Sequence, residues 1–290
     1  MGGVAGRIPR WISLKIPGGA DYVRVKGVIE RESLHTVCLE ARCPNIGDCF
    51  SCGTATFLIM GDVCTRNCRY CAVRHGSPAP VDPDEPRRVA RAVAELGLEY
   101  AVVTSVTRDD LPDGGAALFA GTVSAIRELS PSCRVEVLLP DFRADMEISL
   151  SRVVGAAPHV INHNIETVGP LFPVLRPQGD YALSLRLLAR AASSGIPVKS
   201  GIMAGLGESM DDIRATMDDL RRAGCSILTV GQYLRSRREN HPVAKYYTPE
   251  EYNSIGAIAE NLGFTSVFAG PMVRSSYHAA RAYPDGCCEK

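Results

Sequence analysis

Thr56-Phe-Leu-Ile-Met60-Gly-Asp-Val-Cys64-Thr-Arg-Asn-Cys68-Arg-Tyr-Cys71 couples a short apolar run of strand length to a loop bearing three cysteines in a C-x3-C-x2-C arrangement. Three thiolates on one short loop can ligate three corners of a cubane iron–sulfur cluster and leave the fourth iron without a protein ligand. An open coordination position is what a catalytic metal needs, whereas a structural site is closed by four ligands. The same residues allow a plainer alternative: a zinc knuckle borrowing a fourth ligand such as His75, or three ordinary thiols. Zinc motifs usually pair two C-x2-C spacings, and only one occurs here.

Outward from that loop, from about residue 54, apolar β-leaning runs alternate with segments of helical period. Strands are expected at 56–60, 100–105, 134–139, 159–165, 197–203, 227–230 and 265–268. Helices are expected at 82–96, with Val89, Val93 and Leu96 in register, at 180–194 ending at Gly195, at 208–223 and at 248–262. In 208–223, Met210, Ile213, Met217 and Leu220 share a face before Gly224. Thr248-Pro-Glu-Glu251 is a capping box with Pro at the first helical position, and Gly263 follows its helix. Strands alternating with single helices imply parallel βαβ units. Six or so units fit a full or partial (β/α) barrel better than a doubly wound sheet, with the site at the C-terminal strand ends. Thr104-Ser105, Asn162-His163-Asn164, Glu166 and Gly231-Gln232-Tyr233 fall at such ends. Residues 1–53 show no such alternation and read as an appended segment.

The 290 residues include 32 basic and 32 acidic side chains, a formal net charge of zero, with 46% apolar and 22% charged residues. That length buries a substantial core, and the composition is that of a soluble globular protein rather than a disordered one. Zero net charge removes a general pull toward nucleic acid or anionic membrane. The N-terminus MGGVAGRIPRW has no apolar signal region, and Gly6 stands where a myristoylation motif places Ser or Thr. Arg7 and Arg10 before Asp21 are too few for a transit peptide, and no run approaches the ~18 apolar residues of a membrane span. A cytoplasmic location is expected.

Cysteine is out of line: there are 11, seven of them between Cys38 and Cys71. An odd total in a chain this large speaks against a disulfide framework, and the crowding points to thiolate ligands. A second set, Cys38-Leu-Glu-Ala-Arg-Cys43-Pro-Asn-Ile-Gly-Asp-Cys49, has C-x4-C-x5-C spacing. Taken alone, that spacing also suits loop thiols near a core.

The C-x3-C-x2-C loop after a first barrel strand, with Tyr70 before the last cysteine, resembles the signature of the radical S-adenosylmethionine (SAM) superfamily. The resemblance implies a partial (β/α)6 TIM-like barrel with N- and C-terminal extensions. It also implies a [4Fe-4S] cluster on Cys64, Cys68 and Cys71, whose free iron chelates SAM and whose electron releases a 5′-deoxyadenosyl radical. Both cysteine sets together resemble one family, the lipoyl synthases. There C-x4-C-x5-C holds an auxiliary [4Fe-4S] cluster, completed by the second serine of an R-S-S-Y segment, here Arg274-Ser-Ser-Tyr277. Ser276 is thus the implied fourth ligand beside Cys38, Cys43 and Cys49; a turn or cap hydroxyl is its plain alternative. A serine oxygen is a poorer ligand for iron than thiolate, which suits a corner that must open when the cluster gives up sulfur.

The resemblance runs from about Trp11 to Ala280 and includes His35-Thr-Val-Cys38, Cys43-Pro-Asn-Ile-Gly47 and Gly53-Thr-Ala-Thr56. It also takes in 104–115, 164–167, 199–201, 205–208 and 229–233. Phe50 replaces a common Trp, and Cys52 adds an extra thiol. Asn164 and Glu166 resemble the family's SAM contacts, although loop polars capping a helix would look the same. Tyr70 is implied at the same cofactor. Arg176 sits in a segment like the family's L-x-P-x-x-R-P, where anchoring a carboxylate is conceivable.

The expected organisation is an extension at 1–53 carrying the auxiliary cysteines, a barrel at 54–270, and a segment at 271–290 supplying the serine. The implied reaction inserts sulfur at C6 and C8 of a protein-bound octanoyl-lysine, with two SAM consumed per lipoyl group. Implied partners are octanoylated lipoyl carrier domains (2-oxoacid dehydrogenase E2 subunits, glycine cleavage H protein), a ferredoxin or flavodoxin donor and an iron–sulfur carrier. Neither nucleic acid nor membrane is expected. Arg235-Ser-Arg-Arg238 could face an acidic protein and lacks the interleaved aromatics of nucleic-acid binding. Cys133 and Cys225 read as structural thiols, and Cys52, Cys287 and Cys288 have no assigned role. Competing functions are another radical SAM sulfur-inserting enzyme, such as a methylthiotransferase, and a zinc-binding interaction module.

Overall fold

A computed structural model describes residues 8–282, which form two units. Gly6, Arg7 and the Cys287-Cys288 pair lie outside the described residues. The first unit comprises Leu14–Arg66 and Val73–Asn162. It contains α1 (Ala20–Arg31), β1 (His35–Thr36), α2 (Val37–Glu40), α3 (Ile46–Ser51), β2 (Thr56–Ile59), β3 (Val63–Cys64) and β4 (Arg74–His75). After these come α4 (Glu85–Leu96), β5 (Tyr100–Ser105), α5 (Ala116–Leu129), β6 (Arg134–Leu138), α6 (Met146–Gly155) and β7 (Val160–Asn162).

From β2 the strands pair in parallel, β2 with β5, β5 with β6 and β6 with β7, each joined to the next through one helix. Consecutive residues of β2, Phe57 and Leu58, are both buried, as are Val102 and Val103 of β5. Burial on both faces is why these strands read as continuous apolar runs. On α4, Val89, Val93 and Leu96 are buried as the periodicity requires, and Gly97 ends the helix at φ 65°. The α5 and α6 helices fill the two crossovers whose bounds the periodicity does not give.

Within the 1–53 segment, β1 pairs antiparallel with β2, His35 opposite Leu58 and Thr36 opposite Phe57. A two-residue strand is too short to show alternation, yet it extends the sheet next to Cys38. Thr36 also caps α2, its hydroxyl accepting from the Leu39 N–H at 3.2 Å.

The second unit comprises residues 8–13, 67–72 and 163–282 of the described chain. It holds α7 (Phe172–Leu175), α8 (Tyr181–Ala192), β8 (Val198–Ala204), α9 (Met210–Arg222), β9 (Ile227–Gln232), α10 (Pro249–Asn261) and β10 (Ser266–Gly270). β8, β9 and β10 run parallel in that order. The Thr248/Glu251 capping box is formed as the sequence requires, and Ser209 with Asp212 makes a second one at α9. Asp180 caps α8 through the Leu183 N–H. The strand expected over 159–165 is regular only through Asn162. Beyond it the chain turns, Glu166 takes φ 70°, and its backbone bridges to Ile202 of β8. The α/β class with parallel strands is the one the sequence implies. Among the described residues, no helix is long and apolar enough to cross a membrane.

Candidate active site

Cys64 lies at the end of β3, where its sulfur accepts from the backbone N–H groups of Arg66 (3.4 Å) and Thr107 (3.3 Å). Arg66, inside the same motif, is buried and binds two carboxylates. Its Nε and Nη2 reach Asp109 at 2.7 Å, and its Nη1 and Nη2 reach Asp141 at 2.6 Å. Burial disfavours the charge, but Asp109 and Asp141 outweigh it and hold the guanidinium pKa above its ordinary value. Thr65 adds hydrogen bonds to the Thr107 carbonyl through both its N–H (3.0 Å) and its hydroxyl (2.9 Å). These contacts hold the loop, and with it the Cys64 thiol, beyond the short β3–β4 pairing. His75, paired in register with Cys64, is exposed.

Cys68, Tyr70 and Cys71 belong to the second unit, where the 67–72 segment is tied down at four points. The Asn67 N–H donates to Gln178 Oε1 (2.7 Å) and the Arg69 N–H to the Leu175 carbonyl (2.9 Å). The Arg69 carbonyl accepts from the His241 N–H (2.8 Å), and Asn240 Nδ2 donates to the Cys71 carbonyl (2.9 Å). Tyr70 packs against the cluster formed by Leu175, Leu206, Tyr233 and Val243. Burial pushes its phenol well above the ordinary value, so it stays neutral. Gln178, Asn240 and His241 are therefore positioning residues that local spacing does not reveal.

Asn164 and Glu166, expected as cofactor contacts, are brought together. Asn164 Nδ2 donates to Glu166 Oε1 at 3.2 Å and to Ser275 Oγ at 3.0 Å. A carboxylate accepts only, so the amide nitrogen must face Glu166, and Oδ1 points the other way. That Oδ1 is buried and has no hydrogen-bond partner among the described residues. A Cβ on Gly201 would lie 2.8 Å from it and 2.8 Å from Thr229 Oγ1, so glycine keeps this acceptor open. Buried polar atoms are almost always paired, and this orphan fits a ligand that brings a hydroxyl or ammonium donor. Arg176 donates to the Asn164 carbonyl (3.3 Å) and lies 4.9 Å from the Phe172 ring centre. Glu208 binds the N–H groups of Gly205 (2.6 Å) and Leu206 (2.9 Å), shaping the turn after β8. In the first unit, Ser105 Oγ and Asn162 Oδ1 are likewise buried without a partner among the described residues.

Gln232 has a different role from the ligand-facing polar its strand-end position implies. Its amide nitrogen serves the carbonyls of Ala204, Tyr233 and Lys245, and its oxygen accepts from the Tyr247 N–H and the Tyr252 hydroxyl. Arg235 is also occupied within its own loop, donating to the Asn240 and Arg238 carbonyls.

The second thiol set converges in the first unit. Cys38 lies buried on α2 and Cys49 on α3, and the turn between them places the Cys43 N–H 3.1 Å from the Cys38 carbonyl. Gly47 allows this loop to pass the Lys15 backbone, whose carbonyl fills the space a Cβ would take. The Cys38 and Cys49 thiols share a hydrogen bond that lowers the Cys38 pKa and raises that of Cys49. Burial raises Cys49 further, as does the neighbouring charge of Cys43.

Only one trio of His, Cys, Asp or Glu side chains among the described residues has its ligand atoms all within 4.8 Å, namely His35, Glu40 and Asp62. Cys52 sits at the C-cap of α3 and is exposed. Burial raises the thiols of Cys133 to about 11 and Cys225 to about 12, as inert structural cysteines require. Ser276 lies in a turn closed by the Tyr277 N–H on the Arg274 carbonyl at 3.0 Å.

This fold and loop find counterparts among known proteins. Residues 58–220 match the Radical SAM superfamily, and residues 2–43 match the N-terminal domain of lipoyl synthase of the radical SAM family. Methylornithine synthase (PylB) shares the fold at a TM-score of 0.54 and 12% identity, over 80% of this chain and 76% of that one. Streptococcus suis SuiB bound to S-adenosylmethionine does so at 0.59 and 12%, over 79% of this chain and 52% of that one. The protein is a radical SAM enzyme, a class that uses a [4Fe-4S] cluster and SAM.

Sequence relatives narrow the class. The lipoyl synthase of Nitrosococcus oceani is 51% identical over 277 residues, 95% of this chain and 86% of that protein. That of Nitratidesulfovibrio vulgaris (strain DP4) is 49% identical over 281 residues, 97% and 94% of the two chains. The chain belongs to the lipoyl synthase family, whose reaction is sulfur insertion.

Proposed function

We propose that this chain inserts two sulfur atoms, at C6 and C8, into an octanoyl group carried on a lysine of a lipoyl carrier domain. Cys64, Cys68 and Cys71 hold the cluster that binds SAM. Cys38, Cys43, Cys49 and Ser276 hold an auxiliary [4Fe-4S] cluster that donates sulfur. When bound, these groups supply a 5′-deoxyadenosyl radical able to take hydrogen from unactivated carbon, and the sulfide that replaces it. The observation that carries this reading is the convergence of Cys38, Cys43 and Cys49 outside the C-x3-C-x2-C loop.

The chain's own residues bind and orient. Asn164 presents its open Oδ1, and Glu166 its carboxylate, to the hydroxyl and ammonium donors of SAM. Tyr70 fixes the cysteine loop by packing its ring beside Leu175, Leu206, Tyr233 and Val243. Ser276 supplies the hard oxygen ligand, the corner most easily opened.

Two SAM are consumed per lipoyl group. The carriers are octanoylated domains of 2-oxoacid dehydrogenase E2 subunits and the glycine cleavage H protein. A ferredoxin or flavodoxin supplies electrons, an iron–sulfur carrier rebuilds the auxiliary cluster, and the setting is the reducing cytoplasm.

Anaerobic reconstitution tests this. Wild-type protein is expected to hold about eight irons per chain, as two cubanes require, and to add two sulfurs to an octanoyl-lysine peptide by mass spectrometry. Replacing Cys38, Cys43 and Cys49 with Ala is expected to leave about four irons and 5′-deoxyadenosine formation, but no sulfur insertion. Zinc without labile sulfide in the wild type would refute the reading.

A further inference from the structure

Ser275 precedes the proposed cluster ligand Ser276, yet its own hydroxyl is engaged elsewhere. Ser275 Oγ accepts from Asn164 Nδ2 at 3.0 Å, across 111 residues of sequence. Both N–H hydrogens of Asn164 are then committed, one to Glu166 and one to Ser275. The orientation of the amide, and with it the direction of its unpartnered Oδ1, is set from two sides. Glu166 sits at φ 70°, and the bridge to β8 together with this side-chain contact helps hold it there.

The segment carrying Ser275 is itself seated closely. The Val273 carbonyl occupies the place where Gly231 would carry a Cβ, with Arg274 Nη1 beside it, so the backbone of this segment lies directly against the end of β9. The 274–277 turn then fixes Ser275 and Ser276 relative to each other. Moving one serine moves the next.

We propose that Ser275 is the positioning residue of the SAM site, linking Asn164 to the segment that bears Ser276. Resting on the SAM and cluster assignments above, the link makes SAM occupancy and the serine corner of the auxiliary cluster thermodynamically coupled. A ligand held by Asn164 favours one placement of Ser275, and therefore of Ser276. By reciprocity, the ligation state of Ser276 alters SAM affinity by the same factor. Lipoyl formation needs two SAM molecules at one site while the auxiliary cluster changes between the two insertions, and this contact lets the second binding event sense that change.

The test uses anaerobically reconstituted full-length protein, with SAM affinity read by equilibrium dialysis and the auxiliary cluster by Mössbauer spectroscopy, with and without SAM. Ser275→Ala is expected to weaken SAM about fivefold, the value of one hydrogen bond near 1 kcal/mol. It is also expected to abolish the SAM-induced change in the auxiliary spectrum. Ser275→Thr, which keeps the hydroxyl, is expected to restore both. Asn164→Ala is expected to weaken SAM at least as much as Ser275→Ala. Wild-type affinity in Ser275→Ala beside weak binding in Asn164→Ala would overturn the Ser275 inference alone. Wild-type affinity in both would overturn the SAM assignment along with it. An auxiliary spectrum that responds to SAM in Ser275→Ala as in wild type would sink the coupling.

Discussion

Arg66 and Asp141 face each other in a buried fork-to-fork pair, two parallel hydrogen bonds of 2.6 Å, with both side chains almost fully removed from water. Asp109 closes the other edge of the guanidinium at 2.7 Å. The arrangement needs a planar donor with several N–H groups, which lysine cannot supply. Removing one partner of a buried pair costs ~3–5 kcal/mol, because the remaining charges stay buried and unpaired. Arg66→Ala is therefore expected to lower the melting temperature by roughly 10 °C, and to reduce iron retained by the C-x3-C-x2-C loop. Arg66→Lys should recover only part of both. Melting curves and iron analysis on the two variants decide it; a Lys variant indistinguishable from wild type would show the fork geometry to be immaterial.

Gln232 makes a second test of polar wiring. Its side chain is completely buried, and each end of the amide has partners on the main chain. Gln232→Leu preserves volume but leaves the Tyr247 N–H and the Lys245 carbonyl without this partner, whereas the Ala204 carbonyl keeps the Tyr233 N–H. Each orphaned buried group costs ~1–3 kcal/mol, so a loss of several kcal/mol is expected in urea unfolding. A loss under ~1 kcal/mol would mean that water replaces the amide.

These two residues mark what the sequence discloses. Local spacing announced the Thr248 capping box and the strand at 100–105, and both occur as expected because they are decided within a few residues. The cysteine spacings were equally legible, since a ligand set on one loop is a local feature. By contrast, Arg66 sits within the most conspicuous motif of the chain, but its partners lie 43 and 75 residues away. Asn164 was legible as a strand-end polar, whereas its bond to Ser275 depends on how the 271–277 segment settles against β9. Gln232 occupies a strand end like Asn164, and only long-range packing directs it into the protein rather than toward a ligand. The helix α1 leaves a weak local signature because its buried residues, Val25, Val28 and Ile29, are few and the helix packs against α3 and α4, and the two-residue β1 is too short to show alternation.

Glu166 gives a pH dependence with a definite sign. Loss of hydration pushes its carboxyl above the ordinary value, against the opposing pull of Arg176 and of the Asn164 hydrogen bond. Only the ionised form accepts fully from SAM donors, so affinity is present above the folded-state pKa and falls as pH drops through it. Because that pKa is raised, the fall begins at a higher pH than a solvated glutamate near ~4.3 would give. Equilibrium dialysis of SAM between about pH 5 and 8 is expected to show the decline in wild type. Glu166→Gln is expected to bind more weakly at neutral pH with a flat profile, and a sloping profile in that variant would assign the titration to another group.

Gly231 and Gly256 separate close approach from ordinary packing. A Cβ at Gly231 would overlap the Val273 carbonyl and come within 3.1 Å of Arg274 Nη1, whereas one at Gly256 meets only Ala269 Cβ at 3.9 Å. Gly231→Ala must push residues 271–277 off the end of β9, and Ser276 travels with them. Since that serine is the proposed ligand of the auxiliary cluster alone, the variant is expected to lose iron toward about four per chain while still forming 5′-deoxyadenosine. SAM should also bind more weakly, because Ser275 is displaced from Asn164. Gly256→Ala, inside α10, should keep both clusters and gain roughly 0.5–1 kcal/mol in stability from helix propensity. Full iron and unchanged SAM affinity in Gly231→Ala would mean that the 271–277 segment is free to reseat, and that its serines owe nothing to the glycine beneath them.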